Sequence, residues 1–188
     1  MANVLIIDFD DSFTFNIKEI LTSMNIESDV LNWKELNNET LDQYKAFVFG
    51  PGPGHPNEYV KTFPLIKNIL GSDKFYFGIC LGHQLLWSVN EREVVQVSPI
   101  HGESLTINIE NSFLFEVTNQ KEIDVQFYNS LKVLSKSSDL ESNYLVEDSK
   151  YLMASKNDNF CTYQFHPESI GSSCPEALFR PLKDFLYN

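Results

Sequence analysis

Apolar residues recur along this chain in two rhythms, and the rhythm changes near its middle. In the first half, short continuous runs alternate with helical stretches. Val4 to Ile7 is the first run, and after it Phe13, Ile17, Ile20, Leu21 and Met24 fall on one helical face, with Asp10 or Asp11 placed to act as the N-cap. Asp29 to Leu31 and Ala46 to Phe49 predict two further strands. A helix from about Pro64 to Leu70 should stop at Gly71, and Phe75 to Ile79 should lead into a helix over Leu81 to Val89. Such alternation predicts an α/β fold, with an open, mostly parallel sheet and helices on both faces. The second half reads as mostly strand: Val94 to Val97, Ser104 to Ile109, Asp124 to Phe127, Lys132 to Ser135, Leu152 to Ser155 and Phe160 to Phe165, with some antiparallel pairing expected. A last helix from Pro175 carries Leu178, Leu182, Phe185 and Leu186 on one face, and Pro181 should interrupt it.

Composition narrows the class. The 188 residues suit one domain, spanning 1–188, and 43% hydrophobic with 21% charged residues describes an ordinary globule. No stretch approaches the ~20 apolar residues that cross a bilayer. The start, Met1-Ala2-Asn3-Val4, enters a strand with no basic leader segment, so the cytoplasm is the expected compartment. Fourteen Lys and Arg against 26 Asp and Glu give a net charge of −12, which argues against nucleic acid and anionic membranes as partners. The spacing of the three cysteines suggests neither a metal site nor a disulfide framework; Cys161 reads as a packed strand residue and Cys174 as part of a turn.

Cys80 is different, because it sits where an apolar strand meets a helix, between Gly78 and Gly82. A strand-to-helix elbow exposes its side chain at a helix N-terminus, where free N–H groups and the helix dipole favour a thiolate and can hold an oxyanion. The flanking glycines are expected to relieve the turn and to admit a substrate. A candidate base lies far downstream in Phe165-His166-Pro167-Glu168, where His166 leaves a strand and Pro167 turns Glu168 back toward the imidazole. A Cys-His-Glu relay follows, with His166 accepting the thiol proton and Glu168 fixing the tautomer.

In these residues the chain resembles the class I, or triad, glutamine amidotransferases, which pair a G-x-C-x-G-x-Q elbow with a C-terminal H-P-E segment. The resemblance extends to Asp8 through Asn16, similar to the family's D-x-x-D-S-F-T-x-N opening. It also takes in Gly50-Pro51-Gly52-Pro53-Gly54, Ile100-His101-Gly102-Glu103 and Tyr128-Asn129-Ser130-Leu131, which match S-P-G-P-G, M-H-G-K and Y-H-S-L. It implies a flavodoxin-like amidotransferase fold and glutamine as substrate. The nearest relatives implied are the glutaminase subunits (component II) of anthranilate synthase and aminodeoxychorismate synthase, which pass ammonia to a larger chorismate-binding synthase subunit. It further implies an oxyanion hole from the backbone N–H groups of Gly52 and Leu81, substrate contacts at Gly52, Gln84, Asn129 and Ser130, and no cofactor or metal in this subunit. His83 reads as a first-turn helix residue, and His55 and His101 as solvated or partner-facing loop residues. Several residues depart from the pattern, among them Asn129 for histidine, Glu103 for lysine, and Val89-Asn90-Glu91 for F-G-G. Two other functions fit the same motifs, a glutaminase serving guanylate or carbamoyl phosphate synthesis and a non-catalytic regulatory subunit of the same fold.

Overall fold

The structure, a computed structural model, describes residues 2–136, 144–148 and 150–187, with the backbone alone described over 144–148. The β-branched and aromatic runs form the predicted strands. Five of them are β1 (Val4–Asp8), β2 (Ser28–Asn32), β3 (Ala46–Phe49), β4 (Phe75–Ile79) and β11 (Phe160–Tyr163), which lie parallel in the order β2-β1-β3-β4-β11. The sheet continues antiparallel through β10 (Tyr151–Lys156), β8 (Leu131–Leu134) and β5 (Val94–Gln96), while β9 (Tyr144–Asp148) pairs with β10. A separate ribbon pairs β6 (Glu103–Asn108) with β7 (Glu122–Phe127).

Both faces of β1, β3 and β4 are buried, which is why these strands are continuously apolar rather than alternating. One face packs with α1 (Thr14–Ser23), α6 (Pro175–Leu178) and α7 (Arg180–Tyr187) through Ile17, Leu21, Phe179 and Leu182. The other packs with α3 (Phe63–Leu70) and α4 (Leu81–Val89) through Ile66, Ile69, Leu81, Leu85 and Val89. The two cores pin β4 between layers, and β4 is the strand that delivers Cys80.

Several expectations change. Neither Asp10 nor Asp11 is the N-cap of α1; that place is taken by Phe13, without a side-chain cap. The Asp11 carboxylate instead accepts from the Phe13 N–H at 2.8 Å, and Asp8 accepts from the Thr14 hydroxyl at 2.7 Å. Asp10 turns away to the Lys34 ammonium at 2.8 Å. The C-terminal helix does break before Pro181, into α6 and α7. Five short elements lie outside the sequence reading: the 3₁₀ turns Trp33–Glu35 and Pro56–Thr62, the one-turn helix α2 (Asn38–Leu41), β9, and a six-residue helix α5 (Phe113–Thr118), too short and too rich in aromatic and β-branched residues to show a helical period. The last strand ends at Tyr163 and not Phe165, because the chain there leaves the main sheet and His166 pairs with Gln126 of the ribbon. Among the described residues no helix is long and apolar enough to cross a membrane.

Candidate active site

Strand register sets the site. β4 and β11 are adjacent and parallel, with Ile79 opposite Tyr163, so Cys80 and Gln164 emerge side by side from their carboxyl ends. The Cys80 N–H donates to the Tyr163 carbonyl at 2.8 Å, which fastens the elbow to the strand that leads to His166. At the elbow Cys80 adopts φ +50° and ψ −101°, a left-handed conformation that costs a side-chain-bearing residue on the order of 1–3 kcal/mol. Such strain persists only where the surroundings over-determine it.

The surroundings here are the two glycines, for a reason other than the one expected. A Cβ on Gly82 would lie 2.0 Å from the Phe49 carbonyl oxygen, and one on Gly78 would lie 2.9 Å from the Gly82 carbonyl carbon. They let α4 press onto β3 and β4, and the Gly82 N–H donates to the Gly50 carbonyl at 3.1 Å. Close helix-to-sheet packing is what they provide. Leu81 occupies the first position of α4, where a backbone N–H has no intrahelical acceptor. Gly52 packs against it so closely that a Cβ there would lie 2.6 Å from the Leu81 Cδ2. The two expected oxyanion donors therefore belong to neighbouring backbone segments.

His166 is buried, 2% exposed, with Phe13 and Tyr128 rings packed against it at centroid distances of 5.5 and 5.0 Å. Its backbone N–H donates to the Gln126 carbonyl at 2.9 Å and its carbonyl accepts from the Ser172 hydroxyl at 2.5 Å. Its Nδ1 donates to the Glu168 carboxylate at 2.6 Å, so the turn through Pro167 does return Glu168 to the ring. The Nε2 atom is buried and makes no well-formed hydrogen bond, and neither does Oε2 of Glu168. Burial by itself disfavours the imidazolium. The negative charge of Cys80, with that of Glu168 behind it, outweighs burial and raises the His166 pKa to about 10. The ring is thus placed to hold a proton beside the Cys80 sulfur.

The substrate-binding candidates cluster on the same side. Gln84, 3% exposed, donates from Nε2 to the Leu131 carbonyl at 3.1 Å. Asn129 donates from Nδ2 to the same carbonyl at 2.9 Å, and its Oδ1 is buried without a partner. The carbonyls of Asn129 and Ser130 accept from the N–H groups of Ile100 and Val97 at 3.0 and 2.9 Å, which fixes this segment as a shelf beside the elbow.

Other residues take roles the sequence did not indicate. His83 does lie in the first turn of α4, but it is fully buried: its Nε2 faces the Leu152 carbonyl at 3.2 Å and its Nδ1 the Thr162 hydroxyl at 3.0 Å. A carbonyl can only accept, so Nε2 carries the hydrogen and Nδ1 accepts from Thr162. Burial pushes its pKa down to about 3. His55 caps the 3₁₀ turn Pro56–Thr62, its Nδ1 accepting from the Asn57 N–H at 3.1 Å while Glu58 accepts from the His55 N–H at 2.7 Å. His101 and Glu103 are exposed. Cys161 is fully buried with its thiol pushed up to about 12 by burial, and half-buried Cys174 is raised for the same reason. Gln164, absent from the sequence reading, is fully buried and donates from Nε2 to the Cys80 sulfur at 3.7 Å.

The family model described as "Glutamine amidotransferase class-I" matches residues 5–185, and the chain belongs to that family. An anthranilate synthase component 2 of Haemophilus influenzae is 32% identical over 201 residues, covering 100% of both chains. A putative anthranilate synthase component II of the same organism is 30% identical over 181 residues, covering 94% of this chain and 93% of that one. The aminodeoxychorismate synthase of Streptomyces griseus is 31% identical over 190 residues, which span 96% of this chain and 25% of that protein. Among solved structures, a putative GMP synthase subunit from Thermoplasma acidophilum superposes with a TM-score of 0.82 at 17% identity, covering 98% of this chain and 94% of that one, a likeness of fold.

Proposed function

We propose that the chain is a glutaminase that hydrolyses the side-chain amide of glutamine and hands the ammonia to a chorismate-using synthase subunit, of the anthranilate or the 4-amino-4-deoxychorismate type. One observation carries the reading: a strained Cys80 at a helix N-terminus shares a buried site with His166, whose Nδ1 is tied to Glu168 and whose Nε2 has no other partner. The resemblance of relatives named anthranilate synthase component II and aminodeoxychorismate synthase supports the partner.

The Cys80 thiolate attacks the amide carbon, and the carbonyl oxygen, now negative, is held by the backbone N–H groups of Gly52 and Leu81. Loss of one such donor costs about 3 kcal/mol of transition-state stabilisation. His166 gives its proton to the departing nitrogen, so ammonia leaves and a glutamyl thioester remains. It then takes a proton from water as the water attacks the thioester, which releases glutamate and restores the thiolate. Glu168 keeps the imidazole oriented and stabilises its charged form. The buried, unpartnered Oδ1 of Asn129 suits the substrate's ammonium group, with Gln84 and Ser130 bounding the same end. Thiol, imidazole and backbone donors complete these steps, so no metal or organic cofactor is assigned to this subunit.

Ammonia released alone is wasted, so the isolated chain should turn glutamine over slowly and accelerate when the synthase and its chorismate ligand bind. The test is glutamate release by the purified chain, by the complex, and by the complex with chorismate. A rise along this series supports the reading. Equal turnover in all three removes partner gating, and no glutamate in any of them removes the glutaminase.

A further inference from the structure

Gln164 has no part in the steps above, yet its side chain is fully buried between Cys80 and Gln84. Its backbone is fixed, with the N–H donating to the Met153 carbonyl at 2.8 Å. The orientation of its amide can be derived from the outside inward. The Leu131 carbonyl only accepts, so the Gln84 side chain facing it at 3.1 Å must present its NH₂ group. The other hydrogen of that nitrogen points at Gln164, 3.2 Å away, which must answer with its oxygen. Gln164 is then left with its NH₂ group toward the Cys80 sulfur at 3.7 Å, within hydrogen-bond reach of a sulfur acceptor. Flipping Gln164 alone would set NH₂ against NH₂ on one side and an oxygen against a thiolate on the other. Flipping Gln84 as well would set its oxygen against the Leu131 carbonyl. Only one polarity of the chain is free of conflict.

We infer that Gln164 is a positioning residue for the nucleophile: its amide holds the Cys80 sulfur and ties it, through Gln84 and the Leu131 carbonyl, to the segment that receives glutamine. The assignment rests on the glutaminase reading for its meaning but not for its geometry. Hydrogen bonds to a charged acceptor are about twice as strong as neutral ones, so this donor favours the thiolate over the thiol. Because Gln84 is a link in the chain, a substrate that engages Gln84 also settles the sulfur. The same Leu131 carbonyl takes the Asn129 amide, so both substrate-side residues bear on one anchor.

The test uses Gln164→Leu, which removes the donor, and Gln164→Glu, which keeps the volume and puts a carboxylate against the sulfur. His166 interacts electrostatically with Cys80, with Glu168 behind it, and both are unchanged in these variants. Two quantities are read: the pH midpoint for alkylation of Cys80 by iodoacetamide, which needs no glutamine site, and kcat and KM for glutamine. In Gln164→Leu the midpoint should rise by about one pH unit and kcat should fall about tenfold, with KM within a few-fold, as for loss of a hydrogen bond to a charged group. Gln164→Glu should move the midpoint further in the same direction, and it serves alone if the leucine variant does not fold. A lowered melting temperature with the midpoint and kcat unchanged would make Gln164 a packing residue and overturn the inference. A shifted midpoint in a protein whose wild type hydrolyses no glutamine would keep the hold on Cys80 and remove the glutaminase instead.

Discussion

Two histidines lie buried in this molecule, one on the inner face of α4 and one just past the end of β11, and the fold keeps the first neutral and favours the charged form of the second. His83 and His166 are 0% and 2% exposed, so desolvation presses on both. Around His83 the nearest polar groups are neutral, a hydroxyl and a carbonyl, and burial goes unopposed; its pKa falls to about 3. Around His166 the negative charges of Cys80 and Glu168 oppose burial and win, and its pKa rises to about 10. Burial alone therefore does not decide whether a histidine can move protons. The charge of what faces it does, and in this chain the facing group is the candidate nucleophile.

That contrast can be broken most severely at Cys80. Cys80→Ala should reduce glutamine hydrolysis on the order of a millionfold, as loss of a nucleophile does. It should also let the His166 pKa fall well below 10, because Glu168 alone then opposes burial; ring proton shifts across a pH series check this. Glu168→Gln leaves the fold but removes the carboxylate at 2.6 Å, so kcat should drop ~10³-fold with a smaller change in KM, measured by steady-state kinetics.

Stability separates the two histidines by the sign of its pH dependence. The folded pKa of His83 lies below its ordinary 6.5, so its contribution is fully present above pH 6.5 and is lost as pH falls toward 3, at up to about 1.4 kcal/mol per pH unit. The folded pKa of His166 lies above 6.5, so its own contribution is fully present below pH 6.5 and fades as pH rises toward 10. His83→Gln should flatten the acid limb of a urea-denaturation series while Cys80 still reacts with electrophiles. An unchanged acid limb would mean that His83 is not the group charged on acid unfolding. The smallest effect belongs to Asn129→His, which restores the family residue at the substrate end. It should move KM by a few-fold and leave kcat close to wild type; a gain in kcat on the order of a hundredfold, ~2.7 kcal/mol, would mark the present site as impaired and favour a regulatory subunit.

The parts of this picture that were legible beforehand are those that local sequence controls. Continuous apolar runs, with Gly71 after α3, located the parallel strands and their helices to within a residue or two. The elbow at Cys80 and the return of Glu168 through Pro167 are short-range geometry, and they were readable for that reason. What escaped depends on who lies across the sheet. His83 looks like any first-turn residue until β10 and β11 cover it. Gln164 sits one position past a strand end, and only the pairing of β4 with β11 places it beside the thiol. Gly78 and Gly82 were visible as necessary, but their reason, the 2.0 Å approach that a Gly82 side chain would make to Phe49, belongs to tertiary packing.

The central claim is that Cys80, alone among the three cysteines, is an activated nucleophile in a glutamine-shaped site. It is tested most directly by incubating the protein, together with its synthase partner and chorismate, with an electrophilic diazoketone analogue of glutamine and mapping the adduct by peptide mass. The account predicts one equivalent of label, on Cys80, slowed by excess glutamine, with Cys161 unmodified because burial holds its thiol at about 12. Label on Cys161 or Cys174 in preference to Cys80, or no label at all in the assembled complex, would contradict it.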